Sequence, residues 1–234
     1  MNAEQRMCAV VPVKDSREAK QRLASVLSAA QRQALALAML EDVLAALTRV
    51  PELAGILVVS ADAAAKRLAR GYRARITEDA AGEGHTAAVS AAAARLAAQG
   101  LAMLTLPADV PLVEPEDVRQ AIAAHRHASS RTGCGFTIVP ARNERGSNAV
   151  ICSPADVVPL RFGDDSFVPH LAAAQSRGLA PQVLRLPRIA LDIDTPEDLA
   201  LLMEAPSAAR ARMLLAHWRA EELVLPDRGA GPGS

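Results

Sequence analysis

The segment LDIDTPEDLALL at 191–202 carries two carboxylates two residues apart, Asp192 and Asp194, just ahead of Thr195, Pro196 and an acid-rich helix start. Read as the end of a short strand, it puts both acids on one face at a carboxyl edge, where metal and phosphate sites form. A second apolar run, LAMLTLPADVPL, delivers Asp109 between Pro107 and Pro111. Magnesium takes oxygen ligands near-octahedrally and keeps several waters, so two or three carboxylates suffice. Asp109, Asp192 and Asp194 meet that requirement for Mg2+ if their strands are neighbours. Asp194 has a second reading as the N-cap of a helix beginning near Pro196, with Glu197 and Asp198 favouring its first turn. Asp192 has no such alternative.

Near the N-terminus, CAVVPVKDSREAKQRL places Lys14, Arg17, Lys20 and Arg22 directly behind an apolar strand. Long basic side chains offset triphosphate charge, and arginine grips two oxygens at once. The bland account of each is a solvated loop face. The loop lacks the glycine-rich lysine–serine/threonine pattern of a P-loop and the glycine spacing of a dinucleotide-binding turn, which disfavours an ATPase of that class and a dehydrogenase. Strand-end acids and an early basic loop together describe an enzyme that handles a phosphorylated nucleotide with a divalent cation.

These residues need a scaffold, and the hydrophobic pattern supplies one. MCAVVPV, GILVVS, RARITE, LAMLTLP, GFTIVPA, SNAVICS, PQVLRLP and IALDID read as strands. Helices are expected over SAAQRQALALAMLEDVLAALTRV, ending at Pro51, and over AAAKRLAR, HTAAVSAAAARLAAQG, EPEDVRQAIAAHRHA and DSFVPHLAAAQSRG. Repeated strand–helix units with short connections favour a three-layer α/β fold with a largely parallel sheet. The hairpin-like stretch from 135 to 153 makes one edge mixed. The helical pattern continues from 204 to 225 and includes Trp218. We expect residues 1–225 to form a single domain and 226–234, rich in glycine and proline, to be a disordered tail.

The chain has 234 residues, half of them apolar but only 2% aromatic, so alanine, leucine and valine must fill the interior. Its 26 basic and 26 acidic side chains balance, which gives no support for a nucleic-acid surface. Cys8, Cys134 and Cys152 are too few and scattered for a disulfide scaffold or a paired-cysteine metal motif. Cys8 lies in an apolar run and reads as a buried thiol. No leader is visible and the apolar runs are too short to span a membrane, so a soluble cytoplasmic enzyme is expected. The alanine-rich helix and the Trp218 region are surfaces on which a homodimer could form, although core packing accounts for most of those residues more simply.

Five motifs in one order carry a resemblance: PVKDSREAKQRL at 12–23, LPADVPL at 106–112, RGSNAVI at 145–151, FGDDSFVPH at 162–170 and DIDTPEDL at 192–199. Over about residues 7–203 the chain resembles the guanylyltransferases of coenzyme F-420 biosynthesis. That resemblance implies a nucleotidyltransferase fold, glycosyltransferase-A-like and Rossmann-like, with GTP as donor. It implies that Lys14, Lys20 and Arg22 face the nucleotide phosphates and that Asp109, Asp192 and Asp194 hold magnesium. Gly84, His85 and Thr86 occupy the segment it places beside the guanine and ribose; His85 reads equally as a polar helix-start residue. Ser147, Asn148, Gly163 and Ser166 fall where a small acceptor acid would sit. Ser166 also opens a helical run, so it suits either a phosphate at the helix N-terminus or simple capping. Asp164 and Asp165 beside an anionic acceptor must either point away or help with metal binding.

The implied reaction moves GMP from GTP to phosphoenolpyruvate, 2-phospho-L-lactate or 3-phospho-D-glycerate. Two alternatives stand beside it. A molybdopterin or nucleotide-sugar nucleotidyltransferase would commonly begin with a glycine-rich loop, where this chain has VPVKDSREAKQRL. A noncatalytic nucleotide-binding protein would have no need of Lys14 together with Asp109, Asp192 and Asp194.

Overall fold

The computed structural model describes residues 6–78, 81, 83–163 and 165–224. The expected tail at 226–234 and Asp164 lie outside these. Among the described residues the strands are β1 Met7–Pro12, β2 Leu53–Val59, β3 Arg75–Thr77, β4 Ala102–Thr105, β5 Gly135–Pro140, β6 Ser147–Ser153 and β7 Gln182–Val183. They form one sheet in the order β3-β2-β1-β4-β6-β5-β7. β1, β2, β3 and β4 run parallel, β6 is antiparallel to both β4 and β5, and β7 runs parallel to β5. This is the mixed, mostly parallel sheet expected from the sequence, with its hairpin at 135–153.

The α-helices are α1 Ala29–Leu47, α2 Ala63–Gly71, α3 His85–Ala97, α4 Pro115–Ser129, α5 Phe167–Ser176, α6 Pro187–Ala190, α7 Pro196–Glu204 and α8 Arg210–Val224. Strand β1 shows why three layers form. Met7, Ala9 and Val11 pack on one face with α1, α2 and α4, while Cys8 and Val10 pack on the other with α3 and α5. A strand buried on both faces reads as a continuous apolar run, which MCAVVP does. Helix α1 starts where expected because Ser28 and Gln31 complete a capping box.

Three expectations need correction. IALDID is not a strand: residues 187–190 form a helical turn and 191–194 carry no regular structure. Pro187 sits at the start of that turn and the segment bonds to loops rather than to a sheet edge. PQVLRLP keeps only two strand residues. The 204–225 pattern breaks after Glu204, and α8 begins at Arg210, where Asp42 of α1 accepts from the backbone N–H groups of Arg210 and Ala211 at 2.8 and 3.0 Å. Trp218 packs with α1 and α7 in a third apolar cluster. Among the described residues no helix is long and apolar enough to cross a membrane.

Candidate active site

Strands β2 and β3 lie on one side of β1 and β4 on the other, so the strand order reverses between β1 and β4. In open α/β sheets the crevice beyond the carboxyl ends at such a reversal is where ligands bind. Here β1 runs out into Lys14 and β4 into Asp109. The antiparallel pairing of β6 with β4, with Thr105 opposite Val150, brings the start of β6 to the same edge and so presents Ser147 and Asn148 there. A cavity of about 700 Å³ occupies this place. Its walls include Lys14, Lys20, Arg22, His85, Asp109, Ser147, Asn148, Gly163, Ser166, Asp192 and Asp194. Residues from six separate stretches of chain thus meet at one opening.

Lys20 is the electrostatic centre. Its ammonium donates to Asp109 Oδ2 and to Asp194 Oδ1, each at 2.7 Å, and its side chain is only 8% exposed. Burial opposes that charge, but the pull of Asp109 and then Asp194, with their hydrogen bonds, outweighs it and moves the lysine pKa up. The backbone of Lys20 is left-handed, at φ 55° and ψ 44°, a conformation that costs a non-glycine residue about 1 kcal/mol or more. It lies between two 3-10 turns, Ser16–Glu18 and Gln21–Leu23. The first is tied down by Asp62 at the start of α2, which accepts from Ser16 N–H and Oγ–H at 2.9 and 2.7 Å. Lys14 and Arg22 are exposed along the wall. Arg17 does not join them: it pairs with Asp15 at 2.6 Å on the outer surface and is absent from the cavity lining.

The acids are set by hydrogen bonds rather than by a strand. The N-cap of α7 is Thr195, not Asp194, in a capping box with Asp198. Asp198 Oδ2 also accepts from the backbone N–H of Asp194 at 3.2 Å, leaving the Asp194 carboxylate to meet Lys20. Ile193 N–H donates to the Asp109 carbonyl at 3.0 Å, locking the two acidic loops together. Asn148 donates to Asp192 Oδ1 and to the Ile189 carbonyl, both at 3.0 Å. Its amide protons are spent on positioning Asp192. Burial raises the Asp192 pKa, the Asn148 hydrogen bond opposes this, and the nearby Asp109 and Asp194 charges add to the rise. The three acids share the pocket, but Lys20 holds two of them and Asn148 the third. No cluster of three or more metal-ligating side chains is preassembled among the described residues.

The far wall is the loop before α5. Thr86 Oγ1 accepts from Phe162 N–H at 2.9 Å and donates to its carbonyl at 3.3 Å, so Thr86 clamps this loop instead of lining the cavity. Gly84 is the N-cap of α3, at φ 97°, and is likewise outside the lining. His85 does line it, stacked on Phe162 with ring centroids 4.5 Å apart. Burial depresses the His85 pKa to about 4, with Asp109 opposing and Lys14 assisting. Ser166 makes no side-chain cap; its hydroxyl lies 3.1 Å from that of Ser147. The helix start offers an anion little else, because Ser166 N–H donates to Gly163, Phe167 N–H donates to Arg145, and Pro169 has none. Asp165 turns outward to Arg145 at 2.6 Å, and that hydrogen bond holds its carboxyl below the usual range.

Sequence reasoning missed Arg145 and Asn143 on the rim, Phe162 in the wall and His170 behind it. All but Asn143 fall within the quoted motifs RGSNAVI and FGDDSFVPH, which was the available signal.

Comparison with known proteins identifies the family. Residues 7–223 match the family described as guanylyl transferase CofC like. A phosphoenolpyruvate guanylyltransferase from Conexibacter woesei is 38% identical over 203 residues, covering 86% of this chain and 89% of the relative. A 2-phospho-L-lactate guanylyltransferase from Methanothermobacter thermautotrophicus is 34% identical over 223 residues, covering 95% of each. Among solved structures, one from Desulfovibrio desulfuricans G20, provisionally designated a nucleotide-diphospho-sugar transferase, superposes with a TM-score of 0.72 at 20% identity, covering 92% of this chain and 95% of that one. At that identity the likeness speaks to the fold alone, the α/β nucleotidyltransferase sheet.

Proposed function

The chain belongs to the guanylyl transferase CofC-like family, and from that premise we propose that it transfers GMP from GTP to a small phosphorylated carboxylic acid, in coenzyme F-420 biosynthesis. The observation that carries this reading is a single cavity with cationic, acidic and hydroxyl walls: Lys14, Lys20 and Arg22, then Asp109, Asp192 and Asp194, then Ser147 and Ser166. The acceptor's phosphate oxygen attacks the α-phosphorus of GTP. A new phosphoanhydride bond forms, the bond to the β-phosphate breaks, and pyrophosphate leaves. A phosphate monoester with its second pKa near 6 is already ionised at neutral pH, so no strong base is needed. Alignment and charge neutralisation are what the protein must supply.

In this reading Lys14, Lys20 and Arg22 face the triphosphate, and Gly84, His85 and Thr86 form and brace the base-side wall. Ser147, Gly163 and Ser166 face the acceptor, with Asn148 setting Asp192. The residues fit a divalent cation such as Mg2+. Their donors are hard carboxylate oxygens, and Asp109 Oδ1 is buried with no hydrogen-bond partner. Asp109 and Asp194, with Asp192 beside them, would hold it. A bound cation would neutralise triphosphate charge and polarise the phosphoryl group.

Phosphoenolpyruvate, 2-phospho-L-lactate and 3-phospho-D-glycerate all present one carboxylate and one phosphate, and a few placed contacts discriminate among them. With three free cysteines in the chain, we place the reaction in the reducing cytoplasm. The test incubates the protein with magnesium, GTP and each acid separately, and reads pyrophosphate release and product mass. Turnover with one acid names the acceptor. A folded protein that neither binds GTP nor releases pyrophosphate would overturn the proposal.

A further inference from the structure

We infer that His170, a residue outside the cavity lining, fixes the direction of the Ser147–Ser166 hydroxyl pair so that it offers a proton to the anionic acceptor, and is thus a positioning residue for that substrate. The inference rests on the reading that this wall takes the phosphorylated acid.

The argument starts from the one partner whose role is unambiguous. The backbone N–H of Arg161 can only donate, and it lies 2.9 Å from His170 Nε2. That nitrogen must therefore be the lone-pair side of a neutral ring, and the ring proton sits on Nδ1. Nδ1 is 2.9 Å from Ser147 Oγ, so the imidazole donates and the serine accepts. Ser166 Oγ lies 3.1 Å from the same oxygen. Only one proton can lie between two hydroxyls. Neither serine hydroxyl has another side-chain or backbone partner among the described residues. One hydroxyl proton therefore remains, and both hydroxyls belong to residues that line the cavity.

The opposite tautomer would reverse this. A proton on Nε2 would face the Arg161 N–H donor to donor. Ser147 would then donate to Nδ1, Ser166 would donate to Ser147, and the pair would present only lone pairs to an anion. The ring is held against rotation by an edge contact to Phe162, centroids 5.0 Å apart, and by Phe136 at 6.3 Å. It is 1% exposed. Burial, with His85 pushing the same way, depresses its pKa to about 4, which keeps it neutral in the working range. A hydroxyl donor also suits a nucleophilic oxygen. It orients the anion without placing a full charge or an acidic proton on it. The Ser166 and Phe167 N–H groups are already bonded and Pro169 has none, so the hydroxyl pair supplies a donor that the start of α5 largely does not.

The test is steady-state kinetics with the acid varied at saturating GTP and then GTP varied at saturating acid. His170→Phe should raise the KM for the acid about tenfold or more, leaving the KM for GTP within about twofold. His170→Asn places an amide nitrogen where Nδ1 was and should recover most of that loss. His170→Phe should add nothing to the acid KM of Ser147→Ala, since both remove one chain of bonds. Imidazole 15N shifts of the wild type should report the Nδ1–H tautomer. An Nε2–H tautomer, an unchanged acid KM, or equal rises in both KM values would overturn the assignment. Should the wild type turn over none of the acids, the substrate reading fails separately. The tautomer, and weaker binding of inorganic phosphate by His170→Phe in calorimetry, would still decide this inference.

Discussion

Replacing Lys20 with methionine removes one ammonium from between two carboxylates while keeping most of the stem's volume. The left-handed backbone at this position is equally strained with either residue, so the comparison isolates the charge. At 2.7 Å each ion pair has a Coulomb attraction of about 6 kcal/mol at an effective dielectric near 20, most of it cancelled by desolvation. The lysine is almost fully buried, but Asp109 and Asp194 side chains are 27% and 41% exposed, so water recovers part of the loss. We expect a net destabilisation of about 2–3 kcal/mol, below the ~3–5 kcal/mol of a fully buried pair. For a chain of this size that is a fall in Tm of about 4–12 °C. Lys20 is raised above its unfolded pKa, so its contribution is fully present below that unfolded value and is lost only as pH climbs past it. The gap between variant and wild type should therefore stay flat between about pH 6 and 9. Millimolar magnesium should restore part of the lost Tm in Lys20→Met, where a dication can take the ammonium's place, and should not restore turnover. Differential scanning calorimetry across that pH range, with and without magnesium, reads the stability effects, and pyrophosphate release reads turnover. An unchanged Tm, or the same magnesium response in both proteins, would refute the reasoning.

Other perturbations separate chemistry from fold. Asp109→Asn should depress kcat far more than Tm, and equal loss of both would deny the acid a catalytic role. Asp198→Asn should lower stability by about 1 kcal/mol through the α7 cap, and turnover by more, because Asp198 also orients Asp194; kinetics and urea melts on one sample compare the two. His125 and His170 are buried with pKa values near 4, below the 6.5 of a free ring, so each binds its proton more readily unfolded. Stability should be fully present above pH 6.5 and fall between 6.5 and 4, by up to roughly 3 kcal/mol per histidine, as followed by urea melts across that window. Gly135→Ala would bring a Cβ to 2.7 Å from Ser129 Cβ and 3.1 Å from His125 Cε1; overpacking there should cost about 1–3 kcal/mol in chemical denaturation.

Much of the fold was legible in the chain because its signals are local. Ser28 followed by Gln31 starts α1, alternating burial explains the unbroken apolar run of β1, and the hairpin at 135–153 is written in its two strands and polar turn. The misreadings were local as well. LDID carries the alternation of a strand, yet it pairs with no strand, and the Thr195–Asp198 cap and the Asn148 amide hold it as a loop. Residue types also outran their roles: Thr86, expected beside the nucleotide, clamps Phe162, and Arg17 pairs with Asp15 two residues before it.

By itself the sequence determined the α/β class, the family motifs and the residues able to do chemistry, since periodicity, caps and motifs span only a few positions. The tertiary structure alone decided which of them meet. Lys20 finds Asp109 across 89 positions and Asp194 across 174, and Asn148 finds Asp192 across 44. Whether a basic side chain is a solvated loop residue or a buried ammonium between two acids depends on the parallel pairing of β1 with β4, and on an antiparallel β6 that turns its first residues toward them. Hydrogen bonds act over about 3 Å, and only the packed sheet and its loops bring groups so distant in the chain to that range.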